Sequence, residues 1–150
     1  MMANTVTMGG VPEGFDADII LRQMRRDERP VMHIARDDKR LAAFAEAVRF
    51  FAPDMPVIRF PAWDCLPYDR VSPNADISAR RMATLAGLVH GMPKQFILLT
   101  TLNAAMQRLP ARQVLRDAAF RAEVGRPIDE EALRSFLVRM GFSKAPTVLE

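Results

Sequence analysis

The stretch FPAWDCLPYDRVSPNADISARRMATLAGL, Phe60 to Leu88, carries the chain's only Trp, Tyr and Cys and three of its prolines. Pro61, Pro67 and Pro73 each fix φ and remove a backbone donor, which predicts a long ordered loop from Pro61 to Pro73 rather than a strand or helix. Trp63, Leu66 and Tyr68 are the side chains able to anchor such a loop by its own packing. Two readings follow: the loop contacts a partner or a nucleic acid, or it caps the end of a sheet, and a loop of buried aromatics favours the cap. Asn74 or Asp76 then caps a helix in which Ile77, Met82, Leu85 and Val89 fall near helical spacing, and Gly91-Met92-Pro93 stops it after about His90. Arg80 and Arg81 are expected on or beside its outer face.

Working outward, Val57 to Phe60 reads as a strand entering the loop, and Gln95 to Thr100 as a nearly continuous apolar strand covered on both faces. Val31 to Ala35 is an earlier strand. Asp37 or Asp38 starts the helix after it, with Leu41, Phe44, Val48 and Phe51 on one face and Ala52-Pro53 as its stop. Strands thus alternate with helices. That order predicts an α/β fold, a mainly parallel sheet with helices on both faces and right-handed crossovers.

Nearer the N-terminus, Thr5 to Met8 reads as a short strand leading into a glycine stretch, after which Asp16 is the expected N-cap of a helix with Ala17, Ile20, Leu21 and Met24 as its apolar stripe. Strand, glycine loop and helix form a phosphate-site layout. The Gly9 to Gly14 spacing matches the start of G-x-x-x-x-G-K-[ST], but Phe15 and Asp16 stand where the cation and the magnesium-binding hydroxyl belong. Phe supplies no cation, and a carboxylate at the helix start repels phosphate. The stretch therefore reads as a degenerate phosphate loop without bound cofactor, or as two glycines at a chance spacing.

Beyond the last sheet strand, a short helix is expected around Leu102 to Arg108, followed by Pro110. Arg108, Arg112 and Arg116 recur every four residues and would share one face if the helix ran through the proline; a solvated arginine face is the plainer reading. Ala119 to Val124 alternates as a strand with one wet face. Asp129 caps a helix with Ile128 and Leu133 at staple positions, Leu133, Phe136, Leu137 and Met140 on its apolar face, and Gly141 as its stop. Pro146 to Glu150 resembles the first residues of another strand. The expected division is a domain over 1–117 and the incomplete beginning of a second, α+β domain over 118–150, whose open strand edge could pair with another copy.

The composition, 49% hydrophobic and 26% charged over 150 residues, is that of a globular chain with core enough to fold unaided. No apolar run approaches a membrane span and MMANTVTMGGV lacks the order of a signal peptide, so the expected location is the cytoplasm. The single Cys65 reads as a small packed residue, and His33 and His90 supply no metal-ligand spacing. Asp37-Asp38 and Asp129-Glu130-Glu131 open helices, where capping explains them without acid–base work. No catalytic residue is assigned. A net charge of +3, mainly from arginine, permits an acidic partner without requiring one.

The stretch Pro61 to Leu88 resembles the bacterial transcription-repair coupling factor family. ILLTTLNAAMQRLP, Ile97 to Pro110, resembles the next strand and helix of that family's N-terminal module, and Val124 to Leu133 through Met140-Gly141-Phe142 the segment leading into its second domain. Together these cover roughly residues 30 to 150. The resemblance implies a module similar to the B component of the excision nuclease, with a helicase-type P-loop fold that has lost nucleotide binding, which Phe15 and Asp16 fit. It also implies a separate motor that hydrolyses ATP and translocates on double-stranded DNA, and a second domain that recruits the A component of the excision nuclease. The implied partners are that A component together with the other domains of the coupling factor. RNA polymerase and DNA are reached through the parent protein, and no membrane is implied.

The leading expectation is a non-catalytic scaffold and interaction module. Its candidate surface is Trp63, Tyr68, Arg70, Arg80, Arg81, Arg112 and Arg116. Competing with it are an NTPase using the Gly9 to Gly14 loop, which lacks the Lys and Ser/Thr, and an independent nucleic-acid binder using Arg80, Arg81 and the arginines from 108 to 126.

Overall fold

The computed structural model describes residues 5–65, 70 and 72–145, and their packing divides the chain into two units, one through Leu109 and one from Pro110. The first unit is built on three strands, β1 (Val31–Ala35), β2 (Val57–Phe60) and β3 (Ile97–Thr101), all parallel in the order β1-β3-β2. Val31 and Val57 both lie level with Ile97, and Ile34 and Phe60 with Thr100. The apolar β3 is therefore central, as its lack of polar alternation requires.

Among the described residues four helices belong to this unit: α1 (Phe15–Asp27), α2 (Asp38–Phe51), α3 (Ala75–His90) and α4 (Leu102–Met106). α1 and α2 cover one face. Ala17, Leu21 and Met24 of α1 and Leu41, Phe44, Ala45 and Val48 of α2 form one buried cluster with Ala35, Ile97 and Leu99. These spacings of three and four residues are the apolar stripes visible in the sequence. α2 starts where expected, because Asp37 is extended and its carboxylate accepts from the Arg40 amide at 2.8 Å. That bond, with the Arg36 guanidinium second, holds the Asp37 carboxyl below the usual carboxylate range.

α3 lies on the opposite face over β2. Its Asn74 cap accepts from the Asp76 amide, Leu85 is buried, and the Thr84 hydroxyl reaches the Arg59 carbonyl. Thr100, which alternation points to this face, satisfies its buried hydroxyl on the Phe60 carbonyl at 2.9 Å. Because α3 sits over β2, Met32 and Ile34 on the β1 side of the same face stay 56% and 44% exposed.

Four local expectations are corrected. Thr5 to Met8 forms no strand, and Val6 and Met8 are exposed: β propensity without a pairing edge does not make a strand. The cap of α1 is Gly14, at φ 83°, with Asp16 inside the first turn. α4 ends at Met106 with Gln107 extended, so Arg108 shares no helix with Arg112 and Arg116. Ala119 to Val124 is not a strand. Val124 is fully exposed and Gly125, at φ 82°, turns the chain so that the Arg126 amide meets the Glu123 carbonyl.

The second unit holds α5 (Arg112–Asp117) and α6 (Glu130–Arg139). Asp129 caps α6 by accepting from the amides of Glu131 and Ala132, and Gly141, at φ 87°, ends it with the Phe142 amide turned back to Leu137. The anticipated staple does not bury Ile128, which stays 45% exposed. The expected anchors Leu66 and Tyr68 and the strand from Pro146 to Glu150 lie outside the described residues.

Candidate functional site

At the C-terminal end of the sheet, the loop after β2 meets α3 and α4 around one side chain. Arg81 is 1% exposed, which corrects its expected place on the outer face of α3. Its guanidinium carbon lies 4.3 Å from the Phe60 ring centre and 4.4 Å from that of Trp63. One terminal nitrogen donates to the Pro61 carbonyl and, at 3.0 Å, to Gln107 Oε1. The same Gln107 oxygen accepts from the Trp63 amide, also at 3.0 Å. Two aromatic faces and two neutral acceptors thus replace a counter-ion, and no carboxylate pairs with Arg81 among the described residues. Burial lowers its pKa from the ordinary guanidinium value, and its Nε has no hydrogen-bond partner among the described residues.

Nothing in the sequence marks Gln107, because a Gln after a short helix carries no signal; only the fold brings it 44 residues back to Trp63. Beside this knot, Trp63, Cys65 and Pro73 face Asn103, Met106 and Arg108 across an open groove of about 670 Å³. Arg70 and Arg80 are exposed, and Tyr68 lies outside the described residues. Arg112 and Arg116 are exposed on α5 in the second unit.

The glycine stretch forms a different site. Gly9 is exposed, and among the described residues no strand precedes it, so the expected strand, loop and helix layout is not seen there. Gly14 needs its positive φ to start α1, and a Cβ there would meet Ala47 at 3.7 Å. Phe15 turns its ring edge-on to Phe51, 6.1 Å away. Asp16 Oδ1 accepts from the Ala17 amide, leaving a carboxylate at the positive end of the helix. A cavity of about 460 Å³ opens here between Glu13, Asp16, His33, Arg36 and Arg40. Its two arginines already face carboxylates, Arg40 on Glu13 at 3.0 Å and Arg36 on Asp37 at 3.1 Å. Among the described residues no three His, Cys, Asp or Glu side chains gather into a metal-binding group.

His33 stacks on Phe44 with ring centres 3.7 Å apart and planes 8° from parallel. Burial pushes its pKa below the usual value near 6.5, against an opposing pull from Asp16. The unfolded chain therefore takes up this proton first as pH falls, so the contribution of neutral His33 is whole above about pH 6.5 and declines below it. We expect the urea midpoint to drop between pH 7 and pH 5, and His33→Phe, which keeps the stacked ring, to flatten that part of the profile. An unchanged slope in the variant would assign the loss to other groups.

No helix among the described residues is long and apolar enough to cross a membrane. No protein-family model matches the chain. It is similar to the transcription-repair coupling factor of Myxococcus xanthus, 34% identical in an alignment 127 residues long that covers 79% of this chain and 10% of that protein. The Escherichia coli coupling factor is 28% identical over 89% of this chain and 11% of its own length. That of Haemophilus influenzae is 27% identical over 95% of this chain and 12% of its own. By sequence, then, the chain belongs to the transcription-repair coupling factor family, as a segment spanning about a tenth of the length of the relatives it matches.

Proposed function

We propose that this chain is a non-catalytic scaffold and interaction module of a transcription-repair coupling factor. In this reading, the parent protein displaces stalled RNA polymerase by ATP-driven translocation on double-stranded DNA in the cytoplasm. It then recruits nucleotide excision repair through the A component of the excision nuclease, with the residues from 118 onward beginning the recruiting domain. The candidate contact residues are Trp63, Tyr68, Arg70 and Arg80 in the first unit and, separately, Arg112 and Arg116 in the second, while Arg81 acts by holding Trp63.

The observation that carries the reading is how the chain fills its own glycine stretch. Phe15 is turned into Phe51 and Asp16 occupies the positive end of α1, where a phosphate would have to bind. Neither residue can replace the lysine and hydroxyl of a working loop. Calorimetric titration of the folded chain with magnesium-ATP should give only heats of dilution up to concentrations that detect a dissociation constant of about 1 mM. Saturable one-to-one binding would overturn the non-catalytic reading and put an NTPase in its place.

A further inference from the structure

We propose that the groove between Trp63 and α4 docks an acidic amphipathic helix of a partner protein. The inference rests on the reading of the chain as an interaction module but not on its behaviour toward nucleotides. Its floor and walls are mostly apolar, formed by Trp63, Cys65, Pro73 and Met106. The apolar surface also continues out of the groove. Leu102 and Met106, four residues apart, are 55% and 79% exposed, and Leu109 lies beyond the end of the helix. Leu102 and Met106 share one face of α4. An exposed apolar pair of this spacing beside an open groove suits the apolar face of a helix rather than an enclosed small molecule. Met106 adds a flexible, polarisable side chain able to adjust to such anchors.

The charge of the occupant follows from the groove's own charges. Arg108 lies on the rim, and directly behind Trp63 sits the Arg81 guanidinium, buried and unpaired with any carboxylate among the described residues. The nearby Asp64 carboxylate, which accepts from the Asn74 amide at 3.2 and 3.3 Å, keeps its negative charge and offsets one of these two cations. Two arginines against one carboxylate beside an apolar groove favour an occupant with carboxylates flanking its apolar anchors. A nucleic acid fits less well. One Trp63 face is taken by Arg81, and Arg108, the one arginine lining the groove among the described residues, provides no row of phosphate contacts.

Trp63 is the only tryptophan of the chain, so its emission reports on the groove directly. The probe is a synthetic helical peptide with leucines at i, i+4 and i+7 and glutamates elsewhere. It is compared with the same peptide carrying lysines for glutamates, and with oligothymidine. The acidic peptide should change the emission saturably. Met106→Asp and Arg108→Glu, both at exposed positions and checked for fold by circular dichroism, should each weaken it at least tenfold, and Arg108→Glu should gain affinity for the lysine peptide. Absence of a saturable change overturns the proposal, as does either variant binding the acidic peptide unchanged. Equal or tighter binding of oligothymidine would make the groove a nucleic-acid site instead. Because nucleotide binding is read separately by calorimetry, failure here leaves the non-catalytic reading standing on its own test.

Discussion

Arg81→Ala should lower the unfolding free energy of the first unit by about 3 kcal/mol, a fall in midpoint temperature of roughly 10–20 °C. The substitution removes the guanidinium from between Phe60 and Trp63, each contact contributing about 0.5–2 kcal/mol. It also strips the Pro61 carbonyl of its donor and leaves Gln107 with only the Trp63 amide. Against these losses stands relief from holding a cation out of water, which keeps the net below the sum of the parts. Arg81→Lys should recover only part of the stability, because an ammonium cannot lie flat between two rings. Urea unfolding followed by Trp63 emission measures both variants in the unit that contains the tryptophan. An Arg81→Ala chain within about 0.5 kcal/mol of the parent would mean that the loop is not hung on this side chain.

Leu99→Ala should cost about 3–4 kcal/mol, whereas Met32→Ala should stay within about 0.5 kcal/mol. The two residues belong to adjacent strands of one sheet, Leu99 level with His33 and Met32 level with Leu98. Leu99 is fully buried beneath α1 and α2, so truncation leaves a cavity that the packed helices cannot collapse into. Met32 points to the face that α3 covers only over β2, and it loses no such packing. Equilibrium unfolding of both variants tests this assignment of faces. A large loss in Met32→Ala would show that the β1 half of that face is covered after all.

The difference between those two residues is invisible in the sequence. Val31 to Ala35 reads as VMHIA, a run apolar at four of five positions, and nothing local says that Val31 and Ala35 meet the core while Met32 and Ile34 face outward. Arg81 is the same problem in reverse. It follows Arg80 on a helix whose apolar spacing is legible, yet it is buried because Phe60 with Trp63, and Gln107, arrive from two other parts of the chain. The glycine stretch shows a third case, in which spacing suggests a strand before it that finds no edge to join.

By itself the sequence determined the elements whose causes are local. Prolines and glycines marked the ends of helices, Asp37, Asn74 and Asp129 capped three of them, and the three- and four-residue stripes of α1 and α2 named their buried faces. The alternation of those elements was enough for a parallel α/β sheet, since parallel neighbours require a crossover. Only the tertiary structure decided the order β1-β3-β2, the open half of one sheet face, and the Arg81 knot with its adjoining groove. Each of these depends on residues 20 to 66 positions apart in the chain meeting in space, and pairing at such separations is set by the packing of whole elements rather than by the preferences of any one of them.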